Sequence, residues 1–317
     1  MKTNIYITSC DETGGIYHYH FSGGSLTFCE KVELDRPMYT VIKDKKAYTL
    51  LRQAEKNTGF GGLVSFDTDA NGRFINPSRA ISTKGAVPCH LCVEGNDIYA
   101  VNYLSGNLIR FPDKIVTHTG KGVDKIRQEM PHTHFVAVTP DKKYVLCTDL
   151  GLDTVFVYDR DLESVSSAKV SPGSGCRHLV FYKNAVYCVN ELSNDVSVFD
   201  YGGGKLTLIG SYPAIPGYEG KSKAAAIRIY NDRLYVSHRG ADLISCFEIK
   251  NDALKHLWDT PCGGISPRDF DIVDGFIICA NEGGNVSVLE LRQNGARLVN
   301  DSVKIPVPLC VTIGERL

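Results

Sequence analysis

No unbroken apolar run in this chain exceeds five residues; Phe276–Ala280 is one of that length. A helix that crosses a bilayer needs about 20, so a membrane-spanning helix is excluded. The opening Met1-Lys2-Thr3-Asn4-Ile5-Tyr6 has one lysine and no apolar stretch behind it, so no secretory leader is expected. Charge of one sign is lacking too: Lys+Arg 35 against Asp+Glu 36 leave a formal charge of −1. No global field calls for nucleic acid or an anionic membrane, and an anionic ligand must be held by local Arg or His. The 11 cysteines are odd in number and lack the spacing of a disulfide framework. Cys147, Cys188, Cys246 and Cys279 sit inside apolar runs, where a free thiol behaves as a small hydrophobe. Cys89-His90-Leu91-Cys92 is a lone CxxC whose thiols, three apart on a strand, face opposite ways, which favours packing over a shared metal or a disulfide. P-loop, GxSxG and HExxH patterns are absent, and Gly202-Gly203-Gly204 joins two strands with no helix after it, so it is a hairpin rather than a phosphate cradle. A soluble, cytoplasmic protein is expected.

What the chain does contain is one phrase, repeated. PHTHFVAVTPDKKYVLCTDLGLDTVFVYD, residues 131–159, reads as three short apolar strands separated by Pro/Asp/Lys and Asp/Gly turns. The pattern recurs around Tyr99, Tyr187, Tyr235 and Ile278, and more loosely from Pro37 through Tyr48 to Phe66 with an insertion near Gly59–Gly62. A fourth segment follows most copies, as in Leu206–Leu208, Leu254–Trp258 and Leu298–Val303. Tyr99 and Tyr187 lie two units apart at a period of roughly 44 residues, and four strands at that period match a propeller blade. The N-terminus begins at a second strand, Ile5-Tyr6-Ile7, while Pro308–Ile313 supplies the missing first strand at the other end. The expectation is one all-β domain over residues 1–317: a seven-bladed β-propeller of four-stranded antiparallel blades, its ring closed by pairing of the terminal strands so that no sheet edge is left free there.

In such a ring the first strand of each blade lines the channel. Its start and the end of the second strand therefore meet at one channel mouth. Strand starts supply His90, His132, His134, Arg177, His178, Arg268 and Asp269; second-strand ends supply Asn102, Tyr103, Asp149, Asn190, Glu191, His238, Arg239, Asn281 and Glu282. The opposite turns carry Asp44, Asp97, Asp141, Asn231 and Asp274, as solvated hairpins do. The polar mouth is thus the candidate acid/base and anion site. Arg177 and Arg239 hold either a substrate anion or blade carboxylates such as Asp149 and Glu191. His178, next to Arg177, alternates to the opposite face and reads as packed. His132 and His134 share a strand face, and a metal with His90, His238 or Glu191 is conceivable, but the spacing does not require one. His18 and His20 are expected at the surface of an outer strand.

Together, the HxH-F, RH-L, NEL, SxRG and PRDF phrases, in that order, resemble the lactonase-type seven-bladed propellers. These include the bacterial propeller 6-phosphogluconolactonases and the fungal carboxymuconate cyclases. The likeness covers nearly the whole chain and is strongest over residues 131–290. It implies site residues at His132 or His134, Arg177, Glu191 and Arg239. Departures are Cys176, where the family usually has Pro, and His238, where it usually has Asn. The implied activity is hydrolysis of a phosphorylated sugar lactone, 6-phosphogluconolactone to 6-phosphogluconate, a step of the pentose phosphate pathway, with no cofactor and no metal. His132, His134 and Glu191 are the candidate proton-handling residues; Arg177, Arg239, Arg268, His90, Tyr103 and Glu282 are candidates for binding the small anionic substrate. The alternatives are a carboxymuconate-type lactonizing enzyme acting on a carboxylate, and a non-catalytic binding scaffold.

Overall fold

The computed structural model describes residues 2–54 and 57–316; Glu55 and Lys56, in the irregular second unit, and the terminal Met1 and Leu317 lie outside the described residues. Among the described residues every regular element is a β-strand. The strands form seven separate antiparallel sheets. The innermost strands touch in a closed circuit, each against the innermost strand of the next sheet. This is a seven-bladed β-propeller.

Blade 4, the stretch that shows the repeat best, runs outward from the axis as Thr133–Val138, Tyr144–Asp149, Thr154–Asp159 and Ser164–Lys169. The two innermost strands are Pro37–Lys43 and Lys46–Leu51 in blade 2, and Pro88–Glu94 and Asp97–Asn102 in blade 3. They are Cys176–Tyr182 and Ala185–Asn190 in blade 5, Lys223–Tyr230 and Arg233–Arg239 in blade 6, and Pro267–Val273 and Phe276–Asn281 in blade 7. Blade 1 is shared between the termini. Pro308–Arg316 is its inner strand and pairs antiparallel with Thr3–Ser9, for example Ile5↔Ile313 and Ile7↔Val311, followed outward by Gly15–Ser22 and Ser25–Glu33. Blade 2 departs from the four-stranded plan. Two strands of two residues, Phe74–Ile75 and Ile81–Ser82, both pair with Gly62–Thr68. Asn76-Pro77 interrupts what would be one outer strand, because proline has no N–H for the ladder.

One irregularity repeats around the ring. Near its start, each inner strand carries one residue more than its partner, a β-bulge. Pro37 and Tyr39 pair with Leu51 and Leu50, so Met38 is the extra residue. By the same reading the extra residue is Cys89 in blade 3, His134 in blade 4, Arg177 in blade 5, Arg268 in blade 7 and Leu309 in blade 1. In blade 6, Ala225 and Ala226 stand against the single Ser237. The bulge shifts the strict two-residue alternation that a regular strand imposes on side chains.

Seven apolar clusters fill the seams between blades, one per seam. Blades are apolar on both faces because each is covered on both sides. The seam between blades 5 and 6 holds twelve buried apolar residues, among them Tyr187, Val198, Ile227 and Phe247. The seam between blades 1 and 2 is thinnest, with three, Ala47, Val64 and Phe66. Part of that seam is filled by polar aromatic groups: Tyr6 stacks on His18 at 4.7 Å and on Phe74 at 4.9 Å. His18, expected at the surface, is therefore buried, because the third strand of a blade is still covered by its neighbour.

Truncation in a seam tests this arrangement. Ile5, fully buried between blades 7 and 1, touches both terminal strands' cluster. Ile5→Ala is expected to lower the unfolding free energy by about 2–5 kcal/mol. Ile126→Ala, at an exposed position, should stay within about 0.5 kcal/mol. Urea unfolding of the two variants measures the difference.

Candidate functional site

Two repeated positions build the channel mouth. One is the bulged residue of the inner strand. The other is the residue just past the last pair of the second strand, occupied by Arg52, Tyr103, Glu191 and Glu282; its counterpart in blade 6 is Arg239, which there still pairs with Lys223 as the last residue of its strand. A cavity of about 280 Å³ opens there, and its lining draws on both sets: Met38, Cys89, His134 and Arg268 from the bulges, Arg52, Tyr103, Glu191 and Arg239 from the strand ends. Val87, Leu104 and Arg127 complete the wall. Beneath it a pocket of about 10 Å³ is lined by Met38, Cys89, His134 and Arg268 again, with Arg177, His178, Asp269 and Leu309.

Glu191 is the electrostatic centre. Its Oε1 accepts from Arg127 Nη2 at 2.7 Å and its Oε2 from Arg177 Nε at 3.1 Å. Arg239 Nη2 lies 2.6 Å from the same Oε2. Burial acts to raise the Glu191 pKa, but Arg239, Arg177, His134 and Arg127 outweigh it and hold the carboxyl well below the ordinary value. It is an anion at neutral pH. Burial, and then Arg239, pull the Arg177 guanidinium down to about 9, which still leaves it cationic. Arg177 also donates through Nη1 to Ala225 O at 2.6 Å, a carbonyl within the blade 6 irregularity. Arg239 keeps one buried donor free: among the described residues its Nε has no hydrogen-bond acceptor, while its Nη2 is taken by Glu191. The cavity thus has four guanidinium groups, from Arg52, Arg127, Arg239 and Arg268, against one carboxylate. Guanidinium groups so placed match the oxygens of a small anion.

The two histidines of blade 4 separate. His134, thrown out by the bulge, lines both cavities, and its Nδ1 has no partner among the described residues. Burial, and next Arg177, push its pKa well below 6.5, so the ring is neutral. His132 lines neither. Its ring stacks on Tyr103 at 4.4 Å, its Nδ1 faces Tyr103 O at 3.1 Å and its Nε2 lies 3.4 Å from Glu129. It braces Tyr103, whose hydroxyl accepts from Arg127 Nη2 at 3.3 Å. The expected common face of His132 and His134 is broken by the bulge.

The remaining candidates divide in the same way. Arg268 lines the cavity and lies 3.7 Å from Glu282, which accepts from Ser266 Oγ and is not in the wall. His90 is buried between Tyr39 and Phe135, with Val136 N donating to its Nδ1 at 3.4 Å; it stays behind the wall. His178 packs on His90, His134 and Phe135 and reaches only the lower pocket. Asn102, Asn190, His238 and Asn281 turn into their own sheets: Asn190 donates to Asp195 and Ser197, Asn281 to Ser287, Asn102 to Asn107, and His238 meets Ser245. These four are staples between strands. Arg127 had no counterpart in the repeat, because it stands on the segment between blades 3 and 4. Asp124 accepts from the backbone N of Ile126 and Arg127, and buried Gln128 donates to Leu150 O and Asp153, which together fix the segment over the mouth. Among the described residues, the one group of three His, Cys, Asp or Glu with mutually close ligand atoms lies outside this cavity, in blade 1.

The fold and the mouth define a seven-bladed propeller with a small-molecule pocket at one end of its channel, walled by arginines around a buried carboxylate. Residues 4–313 match the family described as Lactonase, 7-bladed beta-propeller, and the chain belongs to that family. It is 31% identical to the 6-phosphogluconolactonase of Bacillus subtilis over 329 residues, 94% of this chain and 93% of that protein. A solved protein from Lactobacillus plantarum superposes with a TM-score of 0.91 at 25% identity, covering 99% of this chain and 100% of that one. The periplasmic gluconolactonase of Pseudomonas aeruginosa gives 0.88 at 22% identity over 99% of each chain, a likeness of fold. No helix among the described residues is long and apolar enough to cross a membrane.

The Glu191 cluster carries a pH signature. A carboxyl held below its ordinary value of 4.5 contributes stability that is complete above that value and is lost as the pH falls through the lower folded-state value. Glu191→Gln leaves Arg177 buried without its counter-charge and is expected to cost about 3–5 kcal/mol at neutral pH. Its unfolding free energy should also fall less steeply below pH 4.5 than that of the parent. Urea titrations at a series of pH values check both.

Proposed function

We propose that this chain hydrolyses a phosphorylated sugar lactone, with 6-phosphogluconolactone opened to 6-phosphogluconate as the foremost substrate. The observation that carries the reading is the surplus of guanidinium over carboxylate in the cavity wall, with Arg239 Nε left without an acceptor. The named relative from Bacillus subtilis supports the same substrate. Free thiols throughout the chain suit a reducing cytoplasm.

The chemistry follows from the charges. Arg127, Arg239 and Arg268 surround the substrate's phosphate and lactone carbonyl, and guanidinium forks match both kinds of oxygen. Water attacks the carbonyl carbon, and the negative charge that grows on the carbonyl oxygen is met by donors already in place. His134, neutral and in the wall, takes the water's proton; Glu191 beside it stabilises the imidazolium. The ring C–O bond then breaks, and the leaving ring oxygen takes that proton to become a hydroxyl. Glu191, engaged by three arginines and held low in pKa, is too weak a base to take the proton itself and serves to hold the cations. His132 braces Tyr103 and takes no part in proton transfer.

Hydrolysis of freshly prepared 6-phosphogluconolactone, measured above its spontaneous rate, tests the reading. Arg239→Ala and His134→Asn are each expected to lower kcat/KM by about 10²-fold or more, and Arg127→Ala mainly to raise KM. His132→Asn should lose less than either. A parent protein that leaves the spontaneous rate unchanged, or that turns over carboxymuconate in preference, overturns the proposal, as does full activity in the Arg239→Ala, His134→Asn pair.

A further inference from the structure

We propose that His18, His20 and Cys29 form a binding site for a divalent ion of the zinc class, in the seam between blades 1 and 2. One ligand atom from each of the three lies within 4.8 Å of the others. The site is remote from the arginine-lined mouth and does not depend on the lactonase reading.

The local backbone explains why these side chains meet. His18 and His20 stand two apart on Gly15–Ser22 and so share a face. On the adjacent strand His18 pairs with Glu30 and Tyr19 with Phe28, which makes Cys29 the extra residue of a bulge. A bulge re-aims a side chain, and here the thiol joins the histidine pair.

The donor atoms are set for a cation. His18 is buried, and its Nε2 lies 2.8 Å from Asn4 Oδ1. Oδ1 is only an acceptor, so Nε2 holds the proton and Nδ1 keeps its lone pair. That Nδ1 has no hydrogen-bond partner among the described residues, and neither has His20 Nε2, although both atoms are buried. Burial, then His20 and Arg73, pull the His18 pKa down to about 4, so the ring is neutral at physiological pH. A ligating imidazole whose other nitrogen donates to a fixed oxygen is the usual arrangement in metal centres. Glu30 Oε1, 4.0 Å from His18 Nδ1, is occupied by Phe74 N at 3.1 Å and lies outside the three-residue group, so water supplies the fourth ligand. Tetrahedral zinc with Zn–N of about 2.0–2.1 Å and Zn–S of about 2.3 Å needs donor separations of roughly 3.3–3.8 Å. The three side chains therefore close by roughly 1 Å on binding, and Cys29 releases its proton to solvent. The nearby Arg73 is exposed and is screened by water.

The place gives the ion a purpose. Among the described residues the apolar cluster between blades 1 and 2 is the smallest of the seven, with three buried members. The 69–73 turn of blade 2 lies against this part of blade 1: Tyr6 donates to Gly72 O at 2.6 Å, and a Cβ on Gly72 would stand 2.5 Å from Asn4 Nδ2. An ion tying the Gly15–Ser22 and Ser25–Glu33 strands together stiffens the wall on which that turn rests.

Titration of the tag-free, full-length protein with Co²⁺ tests the proposal. One equivalent should bind with a thiolate-to-cobalt charge-transfer band, release protons and raise the melting temperature, and Zn²⁺ should displace it. Cys29→Ser should abolish the band, and His20→Gln should weaken affinity about 10–100-fold. Neither residue is fully buried, and circular dichroism checks that both variants fold. Lactone hydrolysis should be unchanged in both. Absence of binding in the parent, or a charge-transfer band that survives Cys29→Ser, overturns the proposal.

Discussion

Each inner strand of the ring must accommodate one residue that its neighbour does not pair, and the polar lining of the channel mouth depends on that excess. A regular strand would send alternate side chains into the two flanking seams. The bulge frees one position per blade from that rule, and around the ring it yields Met38, Cys89, His134, Arg177, Arg268 and Leu309. All six line the main cavity or the pocket below it. One local backbone device, repeated by the architecture, converts a stack of apolar sheets into a chamber with chemistry. Residues at or just beyond the ends of the second strands supply the opposing wall.

Once the arginines are gathered, their mutual repulsion has to be offset. Glu191 does this from the centre, in contact with Arg127, Arg177 and Arg239, which come from three different parts of the chain. The carboxylate couples blade 5 to blade 6 and to the segment over the mouth. It also leaves the cavity net positive. Stability and the positive charge of the cavity thus draw on the same group: without Glu191 the cations would separate, and with a second carboxylate they would be neutralised.

The repeat of Tyr99, Tyr187, Tyr235 and Ile278 made the blade count and the terminal closure legible, because strand period and turn chemistry are local signals. The end of the channel that carries the polar groups was legible too, since hairpin topology alone puts strand starts and second-strand ends together. Side-chain direction was not. A one-residue bulge decides between His132 and His134, and between a wall position and the floor for Arg177, and bulges leave no mark in composition. Arg52 occupies the same place as Tyr103 and Glu191, but the irregular second unit concealed the alignment. Arg127 lies where the repeat has no counterpart, so no positional rule reached it; only the Asp124 and Gln128 contacts fix it. The Asn residues at strand ends were drawn into the mouth set by position, whereas their amides satisfy buried groups within each blade.

The pairing of Thr3–Ser9 with Pro308–Arg316 has a consequence for biogenesis. The strand that completes blade 1 leaves the ribosome about 300 residues after its partner. Throughout synthesis Thr3–Ser9 has an unsatisfied ladder edge, the kind of surface on which chains associate wrongly. Six blades can gather their local hairpins as they emerge, but the ring becomes continuous only after nearly the whole chain is available. That closing contact, between strands about 300 residues apart, carries a large loop-closure entropy. The arginine-walled chamber therefore matures late and all at once, and a nascent or truncated chain has most of the strands but not the enclosure.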